Sequence, residues 1–269
     1  MARAHPVTWR HFMARTVVIT GSASGIGAAT AELVRARGDR VIGIDLRGAD
    51  VEADLSSPAG RVEAAAKASE LAGGTIDAVI ACAGISAPIA ATIKVNYFGV
   101  TELLEELQPA LAASSAPRVA VVSSMASLQA NSAELVDAAL AGDEARATSI
   151  AEELAAQGPA VGYLIYPSSK RALARWVRRE SIAPRWAGAH IALNAVAPGT
   201  VVTPMTKDLL STPEGRAMVD AHVPMPLNSH QPPESIANLL IWLTSAENTH
   251  TTGQVIYNAT RQLVLRSVD

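Results

Sequence analysis

The chain has 269 residues, of which 49% are hydrophobic, 4% aromatic and 17% charged, with a formal net charge of −3; that length can bury one sizeable α/β domain or two small ones. A slightly acidic balance without Lys/Arg runs argues against a nucleic-acid surface, and a single cysteine excludes an internal disulfide. No Cys/His cluster has zinc-ligand spacing, no stretch reaches the roughly 20 apolar residues of a membrane span, and the N-terminal MARAHPVTWRHFMA lacks the apolar core of a secretory signal, so a cytoplasmic protein with no metal, membrane or nucleic-acid partner is expected.

After an N-terminal extension over 1–14, expected to be flexible, strand and helix patterns alternate. Arg15–Thr20 (RTVVIT) reads as a strand, the spacing from Ile26 to Arg37 as a helix with Gly38 at its C-terminal cap, and Arg40–Asp45 (RVIGID) as the next strand. A helix over 59–72 leads to a strand over 76–81, and a longer helix over 93–113 leads to a strand over 118–123. A helix over 166–180 precedes a strand over 190–196, and a helix over 234–245 precedes a last strand over 254–257. Strands that are continuously apolar fit a parallel sheet buried on both faces, and right-handed crossovers then give a doubly wound, Rossmann-type α/β sheet. No repeat or linker divides 15–269, so one domain is predicted. The Ala- and Glu-rich stretch 133–158 is additional to the alternation; Leu135, Leu140, Ile150 and Leu154 would form the apolar stripe of one or two short surface helices.

Thr20-Gly21-Ser22-Ala23-Ser24-Gly25-Ile26-Gly27 joins the first strand to the first helix, and Asp45 ends the next strand 24 residues after Gly21. Glycines there let backbone approach a pyrophosphate, while the helix N-terminus offers free N–H groups. Gly21, Ser24, Gly25, Ile26, Gly27, Asp45 and its neighbour Leu46 are the expected coenzyme contacts of this half. The Asp45 carboxylate suits two ribose hydroxyls and repels a 2′-phosphate, favouring NAD(H) over NADP(H). Ser24 adds no cation, and Arg47 reads as a solvated loop residue.

Tyr166 and Lys170 lie four residues apart on one predicted helix face. An ordinary phenol, with a pKa near ~10, is a poor base at neutral pH. A neighbouring ammonium is expected to favour the tyrosinate and lower that value. With only four lysines in the chain, Lys170 is not part of a general basic surface.

TGSASGIG, the asparagine of VNYFG, VVSSMAS, Tyr166-Pro167-Ser168-Ser169-Lys170 and Ala197-Pro198-Gly199 occur in that order over about 15–258. Together they resemble the short-chain dehydrogenase/reductase family in its compact form. The long interval between serine and tyrosine is similar to that of bacterial 3α-hydroxysteroid dehydrogenase/carbonyl reductases. The resemblance implies Tyr166 as acid/base and Lys170 as pKa modulator and nicotinamide-ribose ligand. It implies Ser124 as the hydrogen-bond donor to the substrate oxygen, in preference to Ser123, which should point elsewhere from an extended strand. Asn96 matches the family's helix asparagine that positions the lysine. Pro167, tolerated only in a first turn, places the helix start near Tyr166.

Further coenzyme contacts implied are Asp54 and Leu55 at the adenine, Ala83 and Gly84 at the adenosine ribose, and Pro198, Gly199, Val201 and Thr203 beside the nicotinamide. Two places depart from the family pattern. Ala81-Cys82-Ala83-Gly84 stands for Asn-Asn-Ala-Gly, removing two side chains that stabilise the central turn, with Cys82 read as a small buried hydrophobe. Tyr257-Asn258-Ala259-Thr260 stands for Val-Asp-Gly-Gly, which changes the last turn.

The segment 203–228 should form a substrate lid, apolar and adaptable through Met205, Leu209, Leu210, Met218, Val223 and Met225. The expectation is an NAD(H)-dependent oxidoreductase acting on a hydrophobic secondary alcohol or ketone, such as a hydroxysteroid. A homodimer is the expected assembly and a homotetramer the alternative. The rival from another class is a dinucleotide-sensing regulatory protein on the same fold, which should have lost members of the Asn96, Ser124, Tyr166, Lys170 set. An extended-family epimerase or dehydratase would need a larger C-terminal substrate domain than this chain has room for.

Overall fold

A computed structural model describes residues 14–259. The expected extension therefore lies, but for Ala14, outside the described residues, as do Thr260 and the tail after it.

Seven strands form one parallel sheet: β1 (Thr16–Thr20), β2 (Arg40–Asp45), β3 (Val51–Glu52), β4 (Ala78–Ala81), β5 (Arg118–Val122), β6 (Ala192–Pro198) and β7 (Val255–Asn258). Their spatial order is β3-β2-β1-β4-β5-β6-β7. The continuous apolar runs have the predicted cause, because successive side chains enter opposite cores. Val17 and Ile19 of β1 join one hydrophobic cluster and Val18 the other, all three 4% exposed or less.

Helices α1 (Gly25–Ala36) and α2 (Pro58–Leu71) follow β1 and β3. Next comes α3 over 91–112, in which the segment Lys94–Phe98 is a π-helix. The stretch 133–158 holds α4 (Ala133–Leu140) and α5 (Glu144–Ala156), succeeded by the short α6 (Pro159–Gly162) and by α7 (Ile165–Glu180). The later helices are α8 (Lys207–Ser211), α9 (Pro213–His222) and α10 (Pro233–Thr244). One sheet face carries α1 and α10, through Ala31, Val34, Ile236 and Leu240. The other carries α2, α3 and α7, through Ala64, Leu104, Leu107 and Leu173. Each fully buried leucine there contributes roughly 1.5–3 kcal/mol. Helix α4 packs along α7 with Leu135 and Val136 buried, and Ile150 anchors α5, whereas Leu140 and Leu154 are only partly buried.

Two boundaries differ from expectation. The predicted strand at 190–196 begins at Ala192, because His190 closes a 3₁₀ turn in the left-handed conformation (φ 59°). The two-residue β3, too short for a periodic signal, extends the sheet edge beyond β2. Sheet order reverses between β1 and β4, so the C-terminal ends of those strands flank a crevice of the kind that holds ligands in doubly wound sheets.

Candidate active site

At the end of β1 the chain turns through Gly21 (φ +67°), whose N–H donates to the Ile44 carbonyl at 2.8 Å. A Cβ on Gly21 would lie 2.9 Å from the Ala83 backbone, so the turn is pressed against the end of β4. Ser24 occupies the N-cap of α1 in an extended conformation without capping through its side chain. Elsewhere Ser57, Ser132 and Asp143 do cap their helices. The first turn of α1 thus keeps its N–H groups free of side-chain acceptors, which suits a pyrophosphate. Asp45 accepts from Ala23 N at 3.0 Å and from Leu46 N at 2.7 Å, one bond to each carboxylate oxygen, leaving acceptor capacity for hydroxyl donors. Arg47 is exposed and does not line the cleft.

The departure at 81–84 is compensated locally. Cys82 N donates to the Thr20 carbonyl at 3.2 Å, and Ala83 N donates to Thr20 Oγ1 at 3.0 Å, so one threonine side chain holds the turn without the two asparagines. Burial pushes the Cys82 thiol up to about 12, consistent with a packing role. Asp54 accepts from Ser56 N at 2.8 Å; hydrogen bonding to Ser56 holds its carboxyl below the ordinary range, with Lys94 and Arg61 adding to the effect.

The two serines after β5 diverge. Ser123 is buried and donates to the Lys170 carbonyl at 3.0 Å. Ser124 instead faces the phenol of Tyr166 and stabilises its ionised form. Helix α7 starts at Ile165, so Pro167 falls in its first turn and Tyr166 sits at the mouth, as Pro167 implied. Lys170 is 4% exposed, donates to the Val122 carbonyl at 2.8 Å, and holds Nζ 5.9 Å from the Tyr166 ring centroid. Burial lowers this ammonium to about 8. The expected lowering of the tyrosine is corrected here: burial raises the phenol above its ordinary value, and only Ser124 opposes that rise. The physical reason is that Nζ stands over the ring and is directed to a backbone carbonyl rather than to the phenol oxygen.

Asn96, wholly buried in the π segment, clamps Ile85 from both sides, accepting from its N–H and donating to its carbonyl at 2.9 Å each. It also donates to Ser169 Oγ at 3.1 Å. A Cβ on Gly84 would lie 3.1 Å from Asn96 Oδ1 and 3.5 Å from Lys170 Nζ, so both side chains back onto this glycine.

Beyond β6, Thr206 Oγ1 donates to the Val201 carbonyl at 2.6 Å and accepts from Thr203 N at 3.1 Å, fixing the Thr203 loop. Thr206 was not among the predicted residues; its spacing in Thr203-Pro204-Met205-Thr206 is the signal of a threonine-stabilised turn. Met225 lies over Gly199, and its sulfur accepts from Thr200 N at 3.1 Å. Despite the lost glycines, β7 pairs fully with β6, and Asn258 O accepts from Gly199 N at 3.0 Å. Of the apolar residues in 203–228, Met205, Leu209 and Met218 are 40–52% exposed rather than packed inward.

All the predicted residues except Asn96, which lies behind the wall, line one cleft of about 290 Å³. The glycine turn, Asp45 and Asp54 form one end, and Ser124, Tyr166 and Lys170 form the other, continued by Pro204, Met205 and Thr206. Sequence reasoning also missed Ile85, Val95 and Val122 in this lining, apolar residues that carry no motif of their own. Among the described residues no cluster of His, Cys, Asp or Glu could hold a metal ion, and no helix is long and apolar enough to cross a membrane.

Residues 15–158 match the family model for short chain dehydrogenases, and residues 159–259 match that for enoyl-(acyl carrier protein) reductase. The chain is 36% identical to a 3-alpha-hydroxysteroid dehydrogenase/carbonyl reductase of Comamonas testosteroni, over 93% of this chain and 97% of that relative. It is 28% identical to a 2-(R)-hydroxypropyl-CoM dehydrogenase of Xanthobacter autotrophicus, over 91% and 96% of the two chains. Among solved structures, the 3-alpha-hydroxysteroid dehydrogenase of Pseudomonas sp. B-0831 complexed with NADH is similar, with a TM-score of 0.85 and 38% identity. That match covers 94% of this chain and 99% of the other. The chain belongs to the short-chain dehydrogenase/reductase family, as an oxidoreductase with a Rossmann-like single domain.

Proposed function

We propose that this oxidoreductase is NAD(H)-dependent and moves a hydride between the coenzyme and a lipophilic secondary alcohol or ketone, of hydroxysteroid type or similar. The observation that carries the reading is the convergence of Ser124, Tyr166 and Lys170 at one end of a cleft whose other end combines an uncapped helix N-terminus with Asp45. When bound, the nicotinamide supplies or receives the hydride.

The chain's own residues do the rest. Gly21, Ser24, Gly25, Ile26 and Gly27 would cradle the pyrophosphate, Asp45 and Leu46 the adenosine ribose, and Asp54 and Leu55 the adenine. Ala83 and Gly84 provide backbone for the same half, while Pro198, Gly199, Val201 and Thr203 edge the nicotinamide. Tyr166 gives its phenolic proton to the carbonyl oxygen during reduction and takes it back during oxidation. Ser124 donates a hydrogen bond to the same oxygen as charge develops there. Lys170 holds the nicotinamide ribose, and Asn96 keeps the Ile85 turn against it.

The exposed Met205, Leu209 and Met218 supply an apolar, adaptable lid over 203–228. Because α4 covers part of α7, a helix that family members use for pairing, a homodimer is favoured over a tetramer; light scattering distinguishes them. The chain carries no membrane-spanning helix among its described residues, and a cytoplasmic location is proposed with it. The test is turnover with NAD and NADP over a panel of hydroxysteroids and small ketones. An NAD advantage with hydroxysteroid turnover is expected. A clear NADP advantage would overturn the coenzyme reading, and the absence of steroid turnover would overturn the steroid one.

A further inference from the structure

Arg61, in the first turn of α2, is fully buried, and its whole guanidinium is engaged. Nε donates to the Leu55 carbonyl at 2.8 Å, and Nη2 donates to the Ser56 carbonyl at 3.1 Å and the Lys94 carbonyl at 3.4 Å. Nη1 donates to Glu102 and to Glu144, each at 2.8 Å, and Nη2 donates to the second Glu144 oxygen at 2.6 Å. Glu144 is therefore bidentate, and its side chain is 18% exposed against 39% for Glu102. Leu55 and Ser56 directly follow Asp54, Lys94 opens the π segment that carries Asn96, and Glu144 opens α5.

We propose that Glu144, acting through Arg61, is a positioning residue for the adenine end of the coenzyme. The 133–158 segment thereby sets the shape of the 54–56 loop. A buried guanidinium keeps its place only while its charge is matched and its donors are satisfied. Glu144 supplies the more buried of the two carboxylates and the only two-point contact, which fixes the plane of the group. That plane in turn aims Nε and Nη2 at the two loop carbonyls. Neutralising Glu144 leaves Glu102 to draw the guanidinium toward α3, away from the Leu55 and Ser56 carbonyls. The adenine loop then loses its fixed anchor while Tyr166, Ser124 and Lys170 stay in place.

The inference rests on the dinucleotide reading above, and the experiment separates the two. Glu144→Gln keeps the size of the side chain and removes its charge; Glu63→Gln, on the exposed face of α2 and paired with Lys67, is the control. Dissociation constants for NADH and for ADP-ribose are measured by calorimetry, with kcat at saturating coenzyme. In Glu144→Gln both constants should rise about fivefold or more, with kcat and the substrate KM within twofold of wild type. Unchanged constants, a parallel fall in kcat, or an equal effect of Glu63→Gln would overturn the proposal. Failure of the wild-type protein to bind either NADH or ADP-ribose would instead overturn the dinucleotide reading itself.

Discussion

Ser123 and Lys170 are tied across the strand–helix junction: the serine hydroxyl donates to the lysine carbonyl at 3.0 Å, while the lysine Nζ donates to the neighbouring Val122 carbonyl at 2.8 Å. The end of β5 thus grips α7 through both the backbone and the side chain of one residue. The ammonium is held in a nearly closed site, and burial lowers it from 10.5 to about 8.

That shift has a sign. Between about 8 and 10.5 the unfolded chain carries more of this proton than the folded one, so stability rises with pH across that window. The contribution is complete above the ordinary lysine value and is lost as pH falls through about 8. The difference in unfolding free energy between wild type and Lys170→Met should therefore shift in favour of wild type from pH 8 to 10.5. Urea titrations at several pH values measure it, and a flat difference would mean that the lysine is not desolvated as described.

Tyr166→Phe removes the transferable proton but keeps the ring beside Tyr163 and under Lys170. Turnover should fall at least about a hundredfold, the scale of a positioned acid/base. NADH affinity should stay within a few-fold of wild type. Retained activity in this variant would remove the phenol from the mechanism.

Asp45→Asn preserves an acceptor for the Ala23 N–H while removing the charge that opposes a 2′-phosphate. The ratio of kcat/KM for NAD to that for NADP should fall by about tenfold, equivalent to ~1.4 kcal/mol. Steady-state kinetics with both coenzymes reads it, and an unchanged ratio would mean that selection lies elsewhere in the cleft.

A Cβ on Gly27 would lie 2.0 Å from the Gly21 carbonyl oxygen, a backbone atom that cannot swing aside. Gly27→Ala should destabilise the protein by about 1–3 kcal/mol, as overpacking does, and weaken coenzyme binding. Gly38→Ala is the comparison, since Gly38 (φ +87°) has nothing within 4 Å of its Cβ position. It should cost only the backbone strain of about 1–2 kcal/mol and leave coenzyme affinity unchanged. Thermal melts and calorimetry distinguish the two.

The sheet was legible because parallel strands buried on both faces leave unbroken apolar runs such as Thr16–Thr20, and each such run stands in the chain as a block. The glycine turn and the Tyr166–Lys170 pair were legible because their chemistry acts between near neighbours in sequence. Arg61 was not, since its carboxylate partners lie 41 and 83 residues away and nothing local marks them. The rise of the Tyr166 phenol was hidden for a related reason: spacing shows that a lysine shares the helix face, but not where its ammonium is directed. Thr20 illustrates a third kind of concealment, because its hydroxyl replaces two absent asparagines from a different strand.

The π segment at Lys94–Phe98 constrains how long this stretch of chain can be. Gly99 N–H reaches back five residues to the Lys94 carbonyl, so the helix here holds one residue more than a regular α-turn. Deleting a single residue between 94 and 98 would restore the ordinary ladder and turn everything downstream by about 100° relative to what precedes it. Leu103, Leu104 and Leu107, now facing the sheet, would swing away from it while Asn96 kept its grip on Ile85. Length variation among homologues is therefore best accommodated in the exposed loop between α3 and β5, not within the helix, and an alignment gap set inside 94–98 would mark a different core rather than a shorter one.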